Sequence, residues 1–314
     1  MKRLALILTI LVATASCTLS AADAPKRQGW RDWMDRPMGP LYGNVESVTC
    51  IKYSLKDSLG VLSRSEIKSK YCYKFKESGD VTETAIYNSD GSLIRKDIYK
   101  YDTKGNKTEE AVYNSDGSLG NKCIYKYDTN GKMTEEAAYF SDSSLITKHI
   151  YKYDKKGNKT EKAKYFSDGS LLWKYIYKYD TNGKMTEVAV YDSDGPLFGK
   201  SIYKYDTKGN NTEEAVYNSD GSLGNKCIYK YDTNGKMTEE AAYFSDGSLI
   251  TRHIYKYDTK GNKIEIAEYN SAGSLSHKYI CKYDSKGSIT EITIYDGEMQ
   301  KPKSQTVYTI IYRK

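Results

Sequence analysis

The sequence predicts an all-β protein, an elongated antiparallel β-meander in which about eight 26-residue hairpin repeats form one twisted or spiralling single sheet. Three observations predict it: a tandem repeat of fixed length, glycine-containing turns at regular intervals, and an unusual abundance of tyrosine. Tyr accounts for 32 of the 314 residues, whereas Phe accounts for 5 and Trp for 3. Tyrosine favours half-buried pleated surfaces, where the ring packs and the hydroxyl stays hydrated.

The repeat is marked by the tetrapeptide Tyr-Lys-Tyr-Asp. Its second Tyr recurs every 26 residues, at Tyr101, Tyr127, Tyr153, Tyr179, Tyr205, Tyr231 and Tyr257, and Tyr283 continues the series after Cys281-Lys282. Residues 99–154 and 203–258 differ at only three of 56 positions, so a block of four repeats looks duplicated. Units of this kind stack on their neighbours, and they predict a repeat array over residues 77–297.

Each repeat contains two turn signals separated by segments of strand length. Residues 114–117 (Asn-Ser-Asp-Gly) and 128–131 (Asp-Thr-Asn-Gly) end in Gly, which adopts positive φ without steric cost, and contain Asx residues that cap turns. The stretches 106–113 and 118–127, of eight and ten residues, have lengths typical of strands. Each repeat is therefore predicted to be one hairpin plus the turn into the next.

The turn lengths set a register and therefore the two faces of the sheet. A two-residue loop at Asp116-Gly117 pairs residues whose numbers sum to 233, and a four-residue loop at 128–131 pairs residues that sum to 259. One face then carries Leu119, Tyr125, Tyr127 and Thr108, and the other carries Glu109, Ala111, Tyr113, Lys122, Ile124 and Lys126. Neighbouring Glu and Lys predict cross-strand ion pairs. Which face is concave stays open, and the doubled Tyr column favours the Tyr125 face.

The ends of the array are less regular than its middle. Residues 43–76 predict an N-terminal capping hairpin, and residues 298–314 predict a C-terminal capping strand centred on 307–312. Residues 23–42 are polar and contain Pro and Gly, so they are predicted to form a tether.

The N-terminus predicts export. Residues 1–22 have a basic start, a short apolar stretch over 4–15 and small residues after it, as a secretory signal does. The apolar stretch is too short to span a bilayer and no second one occurs, so no transmembrane segment is predicted. Two forms stay open, cleavage after Ala22 or lipidation at Cys17. The expected location is the periplasm, the cell surface or the medium, with an outer-membrane lipid anchor as the alternative.

The cysteines and histidines predict no metal site. Of the 6 cysteines, five remain when Cys17 is set aside, an odd number with no CxxC spacing. Cys50 and Cys72 lie on neighbouring predicted strands, and whether they form a disulfide stays open. The 3 histidines are dispersed, so no metal and no cofactor is predicted.

Residues 101–106, Tyr-Asp-Thr-Lys-Gly-Asn, carry a resemblance to known bacterial repeats. The motif resembles the YD-repeat, or RHS-like, class, and the Asp-Gly-Ser-Leu half of each unit is similar to variant MORN-type repeats. The resemblance covers residues 71–295. It implies a spiralling sheet of hairpins on an exported or surface protein, acting as shell, spacer or binding surface, and it implies no catalytic residue.

Two columns on the Tyr face vary between repeats while the surrounding frame is constant. One contains Arg95, Asn121, Thr147, Trp173, Gly199, Asn225, Thr251 and His277, and the other contains Asp97, Cys123, His149, Tyr175, Ser201, Cys227, His253 and Tyr279. The most aromatic strand predicts a candidate partner-binding surface of Trp173, Tyr175, Tyr177 and Tyr179, because such side chains give contact area at low entropy cost. The alternative is that the Tyr columns only stabilise the sheet.

These observations predict a non-enzymatic exported protein that presents an extended Tyr/Lys-rich β surface to a glycan or protein partner at the cell envelope. A passive structural spacer or scaffold of the envelope is the alternative. A secreted enzyme is a remote one, since eight equivalent Glu residues flanked by Lys define no single special site. The net charge of +7 is spread along the chain, so nucleic-acid binding is not expected. The sequence leaves the oligomeric state open.

Overall fold

The computed structural model describes residues 41–58, 61–297, 299 and 301–313. The predicted signal peptide (1–22), the candidate lipidation residue Cys17 and all of the predicted tether before residue 41 lie outside the described residues. Within the described ranges, no helix has the length and hydropathy that a bilayer crossing requires.

The described chain is a succession of antiparallel strands, and the predictions of an all-β fold and of repeated β-hairpins are confirmed. The strands are β1 (Val45–Ser58), β2 (Val61–Phe75), β3 (Val81–Tyr87), β4 (Leu93–Tyr101), β5 (Lys107–Asn114), β6 (Leu119–Tyr127), β7 (Met133–Phe140), β8 (Leu145–Tyr153), β9 (Lys159–Phe166), β10 (Leu171–Tyr179), β11 (Met185–Asp192), β12 (Leu197–Tyr205), β13 (Asn211–Asn218), β14 (Leu223–Tyr231), β15 (Met237–Phe244), β16 (Leu249–Tyr257), β17 (Lys263–Tyr269), β18 (Leu275–Tyr283), β19 (Ile289–Asp296) and β20 (Pro302–Tyr312).

The sheet closes on itself, so the prediction of an open, twisted or spiralling single sheet is wrong. β1 pairs with β2 and also with β20, from Val45↔Tyr312 to Ser54↔Ser304. Every other strand pairs with the strands before and after it, and the 20-stranded sheet therefore forms a complete ring, a barrel. Closure satisfies the backbone groups that an open sheet leaves at its edges. The repeats encode only pairing between neighbours, whereas closure depends on the two ends.

Apolar side chains form a buried cluster where the ring closes. The largest buried apolar cluster consists of Leu41, Val45, Val48, Cys50, Tyr73, Phe75, Cys281, Ile289, Ile292 and Tyr308. Its members come from β1, β2, β18, β19, β20 and the residues beside them, and Val48 and Ile289 are 0% exposed. Burial of apolar area favours the closed form, because an open sheet would expose this cluster to water.

Both kinds of turn have the same three-residue geometry. The Asn114 N–H donates to the Ser118 carbonyl (2.9 Å), and the Gly117 N–H donates to the Asn114 carbonyl (3.0 Å) with Gly117 at φ +82°. The turn at Asp128 and Gly131 repeats these bonds. This is a type I turn followed by a left-handed glycine, which adds a bulge to the strand. The predicted loops of two and four residues are both wrong.

Away from the bulges the two faces are nevertheless those predicted, but Leu119 pairs with Tyr113 and so lies on the face opposite to the predicted one. Glu109 pairs with Ile124, a sum of 233, because a bulge compensates for the extra loop residue. Lys126 pairs with Glu135, a sum of 261 that differs from the predicted 259 by two. A shift of two residues leaves every side chain on the same face of a strand.

The outer face is a regular array of ion pairs. Lys126 Nζ lies 2.8 Å from Glu135 Oε1. Equivalent pairs are Lys100–Glu109, Lys152–Glu161, Lys178–Glu187, Lys204–Glu213, Lys230–Glu239, Lys256–Glu265 and Lys282–Glu291. Because the Lys126 side chain is 64% exposed, water screens a pair of this kind and it contributes little to stability. Its main consequence is a hydrated outer surface.

The inner face carries the first tyrosine of each repeat. Tyr125 and Tyr151 retain 8% and 9% of their exposure, in contrast to the outer lysines. Side chains on the concave side of a closed sheet converge and bury one another. The Tyr125 face therefore lines the interior of the barrel.

The second tyrosine of each repeat ties two strands together beyond the last backbone pair. The Tyr127 hydroxyl donates to the Lys107 carbonyl at 2.8 Å. The same bond is made by Tyr101, Tyr153, Tyr179, Tyr205, Tyr231, Tyr257 and Tyr283. Each bond contributes roughly 0.5–1.5 kcal/mol, so this column has a structural role.

Candidate functional site

The aromatic residues predicted from the sequence lie together on β10. Trp173, Tyr175 and Tyr177 alternate along the strand and therefore point to the same, inner face. The rings of Tyr175 and Tyr177 are stacked, with centroids 6.5 Å apart and an interplanar angle of 22°. These three side chains form a continuous aromatic strip inside the barrel.

Tyr179, the fourth predicted residue, has a different role. Its hydroxyl donates to the Lys159 carbonyl at 2.8 Å, which is the tie made in every repeat. Burial is the largest cause that raises the pKa of the Tyr179 phenol to about 12. The donor of Tyr179 is already used, so the binding surface reduces to the other three aromatic residues.

The strand beside the aromatic strip contributes two lysines that the sequence analysis missed. Lys164 pairs with Trp173 and Lys162 pairs with Tyr175 across β9 and β10, so all four side chains share the inner face. Lys164 Nζ lies 4.8 Å from the centroid of the Trp173 ring, within cation–π range. We call Lys162, Lys164, Trp173, Tyr175 and Tyr177 the β9–β10 patch.

The other side of the patch is apolar. On β11, Val190 pairs with Tyr175 and Val188 pairs with Tyr177. Both valines are buried and pack with Tyr175 in one cluster. The site thus has a cationic side on β9, aromatic rings on β10 and an aliphatic side on β11.

Tyrosines elsewhere on the inner face donate to a carboxylate. The Tyr125 hydroxyl lies 3.1 Å from Glu110 Oε2, and the Tyr151 hydroxyl lies 2.7 Å from Glu136 Oε2. In both pairs the carboxylate precedes the tyrosine by fifteen residues. The same offset from Tyr177 leads to Lys162, which cannot accept a hydrogen bond.

The phenol of Tyr177 consequently lacks the partner that its equivalents have. Within the described part of the chain, neither Tyr175 nor Tyr177 makes a hydrogen bond through its hydroxyl. Burial raises the pKa of both phenols, so they remain protonated donors. Neither hydroxyl has a protein partner in the described ranges, and Tyr175 is only 5% exposed.

The electrostatic environment of the patch is positive. Burial is the main cause that lowers the pKa of His149 to about 4, and the charges of Lys162 and Lys164 act in the same direction. Glu136, whose Oε2 is 3.7 Å from His149 Nδ1, opposes them. His149 is therefore neutral at ordinary pH.

A second polar cluster lies on the inner face at β12 to β14. Glu214 is 3% exposed, burial raises its pKa, and its Oε1 accepts a hydrogen bond from Tyr203 at 3.2 Å. Ser201 Oγ and Asn225 Oδ1 are buried without a hydrogen-bond partner. The cluster brings together a carboxyl, a hydroxyl and an amide, and it contains no paired base and nucleophile.

The five cysteines within the described ranges are free thiols. Cys50 pairs in register with Tyr71 and faces inward, whereas Cys72 pairs with Thr49 on the opposite face, and both are free thiols. Burial raises the pKa of Cys50. In the described ranges no group of three or more His, Cys, Asp or Glu is placed to hold a metal ion.

Comparison with known proteins gives only distant likenesses. No family model and no curated protein matches the chain. A porin-like protein from Bacteroides uniformis is 11% identical, with 86% of this chain and 99% of that chain covered and a TM-score of 0.37. The Tc holotoxin pore of Photorhabdus luminescens is 11% identical over 76% of this chain and 19% of that one (TM-score 0.22). A DUF1329 family protein from Desulfovibrio piger is 8% identical over 85% and 86% (TM-score 0.22). Similarity at this level supports no argument about function.

Proposed function

We propose that this protein is a non-enzymatic, exported binding protein that holds a glycan chain against the inner face of its barrel. The observation that carries the proposal is the aromatic strip of Trp173, Tyr175 and Tyr177, with two phenol donors that have no partner in the described chain. Flat aromatic side chains pack against the apolar faces of sugar rings, and free donors orient the sugar hydroxyls. The proposed location, from the N-terminal signal, is the cell envelope or the medium, where glycans are abundant.

The number of strands sets the greatest width that the interior of the ring could have. Twenty strands spaced about 4.8 Å apart give a circumference of about 96 Å, or roughly 30 Å across if the section is circular. Side chains of the inner face occupy much of that width, since Tyr125 and Tyr151 are only 8% and 9% exposed. An open sheet was expected to bind its partner through an extended exposed surface. Because the outer face of the ring is a hydrated array of ion pairs, we place the ligand-binding surface on the inner face.

A second candidate function is a passive envelope scaffold. The regular tie between Tyr127 and Lys107, repeated in every unit, favours it because that column serves only the sheet. The resemblance to YD-repeat proteins agrees with either function, as shell or as binding surface.

A glycan array followed by calorimetry on the mature protein tests the proposal. The variant Trp173→Thr places in β10 the residue that β8 and β16 carry at Thr147 and Thr251, so it is compatible with the fold. We expect binding to at least one glycan class and a loss of at least tenfold in this variant. The matched control, Tyr165→Ala on the outer face of β9, should bind as the wild type does. Absence of binding to every glycan would overturn the proposal and leave the scaffold.

A further inference from the structure

Two equivalent carboxylates on the inner face, Glu110 and Glu214, differ in their counter-charge. Glu110 forms an ion pair with Lys107, whose Nζ lies 2.8 Å from Glu110 Oε2. The residue equivalent to Lys107 in the second duplicated block is Asn211, one of only three differences between the two blocks. None of the ion pairs among the described residues involves Glu214. The first block therefore supplies a cation that the second block lacks.

The strand beside Glu214 has also lost its charges. In the first block, Arg95 on β4 forms an ion pair with Asp97. The equivalent residues of β12, which pairs with the strand of Glu214, are the uncharged Gly199 and Ser201. Two cations and two acids thus balance one another in the first block, whereas a single carboxylate remains in the second.

Two polar side chains near Glu214 have oxygen atoms without a partner. Ser201 and Asn225 are 0% and 4% exposed, and Ser201 Oγ and Asn225 Oδ1 make no hydrogen bond within the described chain. Both residues pair with Val216, the next inward-facing residue of β13 after Glu214, so they lie beside the carboxylate. We call Ser201, Tyr203, Glu214 and Asn225 the Glu214 cluster.

The cluster holds a carboxylate at a cost in free energy. Glu214 is 3% exposed, and a buried charge needs an opposite charge or full hydrogen bonding to offset the loss of its hydration. Burial is the main cause that raises the pKa of this carboxyl, and the charge of Glu240 acts in the same direction. A water molecule would hydrogen-bond to the unpartnered oxygens but would leave the charge uncompensated.

We infer that the Glu214 cluster binds a small monovalent cation, such as K⁺ or ammonium, in place of the lysine ammonium of the first block. There, Lys107 Nζ also lies 4.4 Å from the centroid of the Tyr125 ring, and the equivalent ring in the second block is that of Tyr229. Carboxylate, amide and hydroxyl oxygens are ligands that hard cations prefer. One carboxylate matches a single positive charge, whereas Ca²⁺ sites usually contain several acidic ligands. The inference does not depend on glycan binding.

Thermal unfolding of the mature protein at constant ionic strength tests the inference. The salts are the chlorides of Na⁺, K⁺ and ammonium, with tetramethylammonium chloride as reference, because its bulky cation cannot approach a carboxylate closely. We expect Tm to be about 2–4 °C higher in at least one of the small cations, since an ion that binds only the folded chain stabilises it. Crystals soaked in thallium(I), a heavy analogue of K⁺, should show an anomalous difference peak beside Glu214.

The repeats themselves supply the variants. Asn211→Lys reproduces Lys107 of the first block, so it is compatible with the fold, and it should abolish both the cation dependence of Tm and the thallium peak. Glu214→Gln should do the same by removing the negative charge. The matched control, Thr233→Lys, adds a lysine in the exposed turn between β14 and β15, where the repeat already carries Lys155. This control should keep the dependence.

Each outcome decides the inference. Equal Tm in all four salts, a thallium peak only elsewhere on the protein, or a dependence that survives both Asn211→Lys and Glu214→Gln overturns it. A dependence that is lost in these two variants and kept in Thr233→Lys supports it, and the salt with the highest Tm identifies the preferred cation.

Discussion

Ser143 and Gly247 provide a test of how the turns are stabilised. They occupy equivalent positions 104 residues apart in the duplicated block. Ser143 has φ +68° and is the one non-glycine residue with positive φ in the described ranges, whereas Gly247 has φ +85°. A Cβ added at Gly247 would meet no atom within 4 Å. The exchange of Ser and Gly at these positions therefore changes backbone energetics without a steric clash.

The expected magnitude follows from two opposing effects. An L-residue in the left-handed region loses roughly 1–2 kcal/mol, and glycine loses about 0.5–1 kcal/mol more backbone entropy on folding than other residues do. Ser143→Gly should therefore stabilise the barrel by about 0.5–1 kcal/mol. Gly247→Ser should destabilise it by the same amount or slightly more, because its φ lies further from the left-handed minimum near +57°.

Urea denaturation monitored by fluorescence and circular dichroism measures both effects, and Tm should move by about 1–3 °C in opposite directions. The double exchange should restore the wild-type stability, since distant sites are additive. A destabilising Ser143→Gly, or shifts of the same sign in both variants, would refute the assignment of these turns to a left-handed third residue.

Three further changes test the barrel. Burial, aided by neighbouring lysine charge, lowers the pKa of His149 to about 4, so below about pH 6.5 the unfolded chain binds a proton that the folded chain does not. The free energy of unfolding, measured by urea denaturation at each pH, should therefore fall between pH 6.5 and 4. It should fall less in the His149→Asn variant. Ile289 is 0% exposed in the apolar cluster where the ring closes, so Ile289→Ala should lower the free energy of unfolding by about 2–5 kcal/mol and produce oligomers on size-exclusion chromatography. Ile124→Ala, on the half-buried outer face, should lower it less and leave the size of the protein unchanged. Tyr127→Phe removes the hydroxyl that donates to Lys107 and should cost about 0.5–1.5 kcal/mol by thermal denaturation; no loss would remove the structural role assigned to that column.

The candidate site was only partly predictable. Trp173, Tyr175 and Tyr177 follow from alternation and from variation in two columns, and the structure places them on one face. Lys162 and Lys164 were missed because the comparison of repeats was confined to the columns on the second strand of each hairpin. Extending it to the first strand finds both lysines. The tie made by Tyr179 could not be found this way, since it depends on a free carbonyl at the end of the ladder.

The sequence by itself determined the strands, the positions of the turns and, away from the bulges, the division of side chains between two faces. Those features depend on local chemistry, on glycine after an Asx turn and on alternation along a strand, and both are repeated in every unit. Only the structure shows that the loops have three residues. The bulge offsets the extra loop residue, so Glu109 still pairs with Ile124, as the residue count predicts for a shorter loop. Only the tertiary structure decided that β1 meets β20 and that the Tyr face becomes an interior. That pairing joins residues more than 240 positions apart and is stabilised by burial of Val48 and Ile289 at the seam, which no periodicity in the chain records.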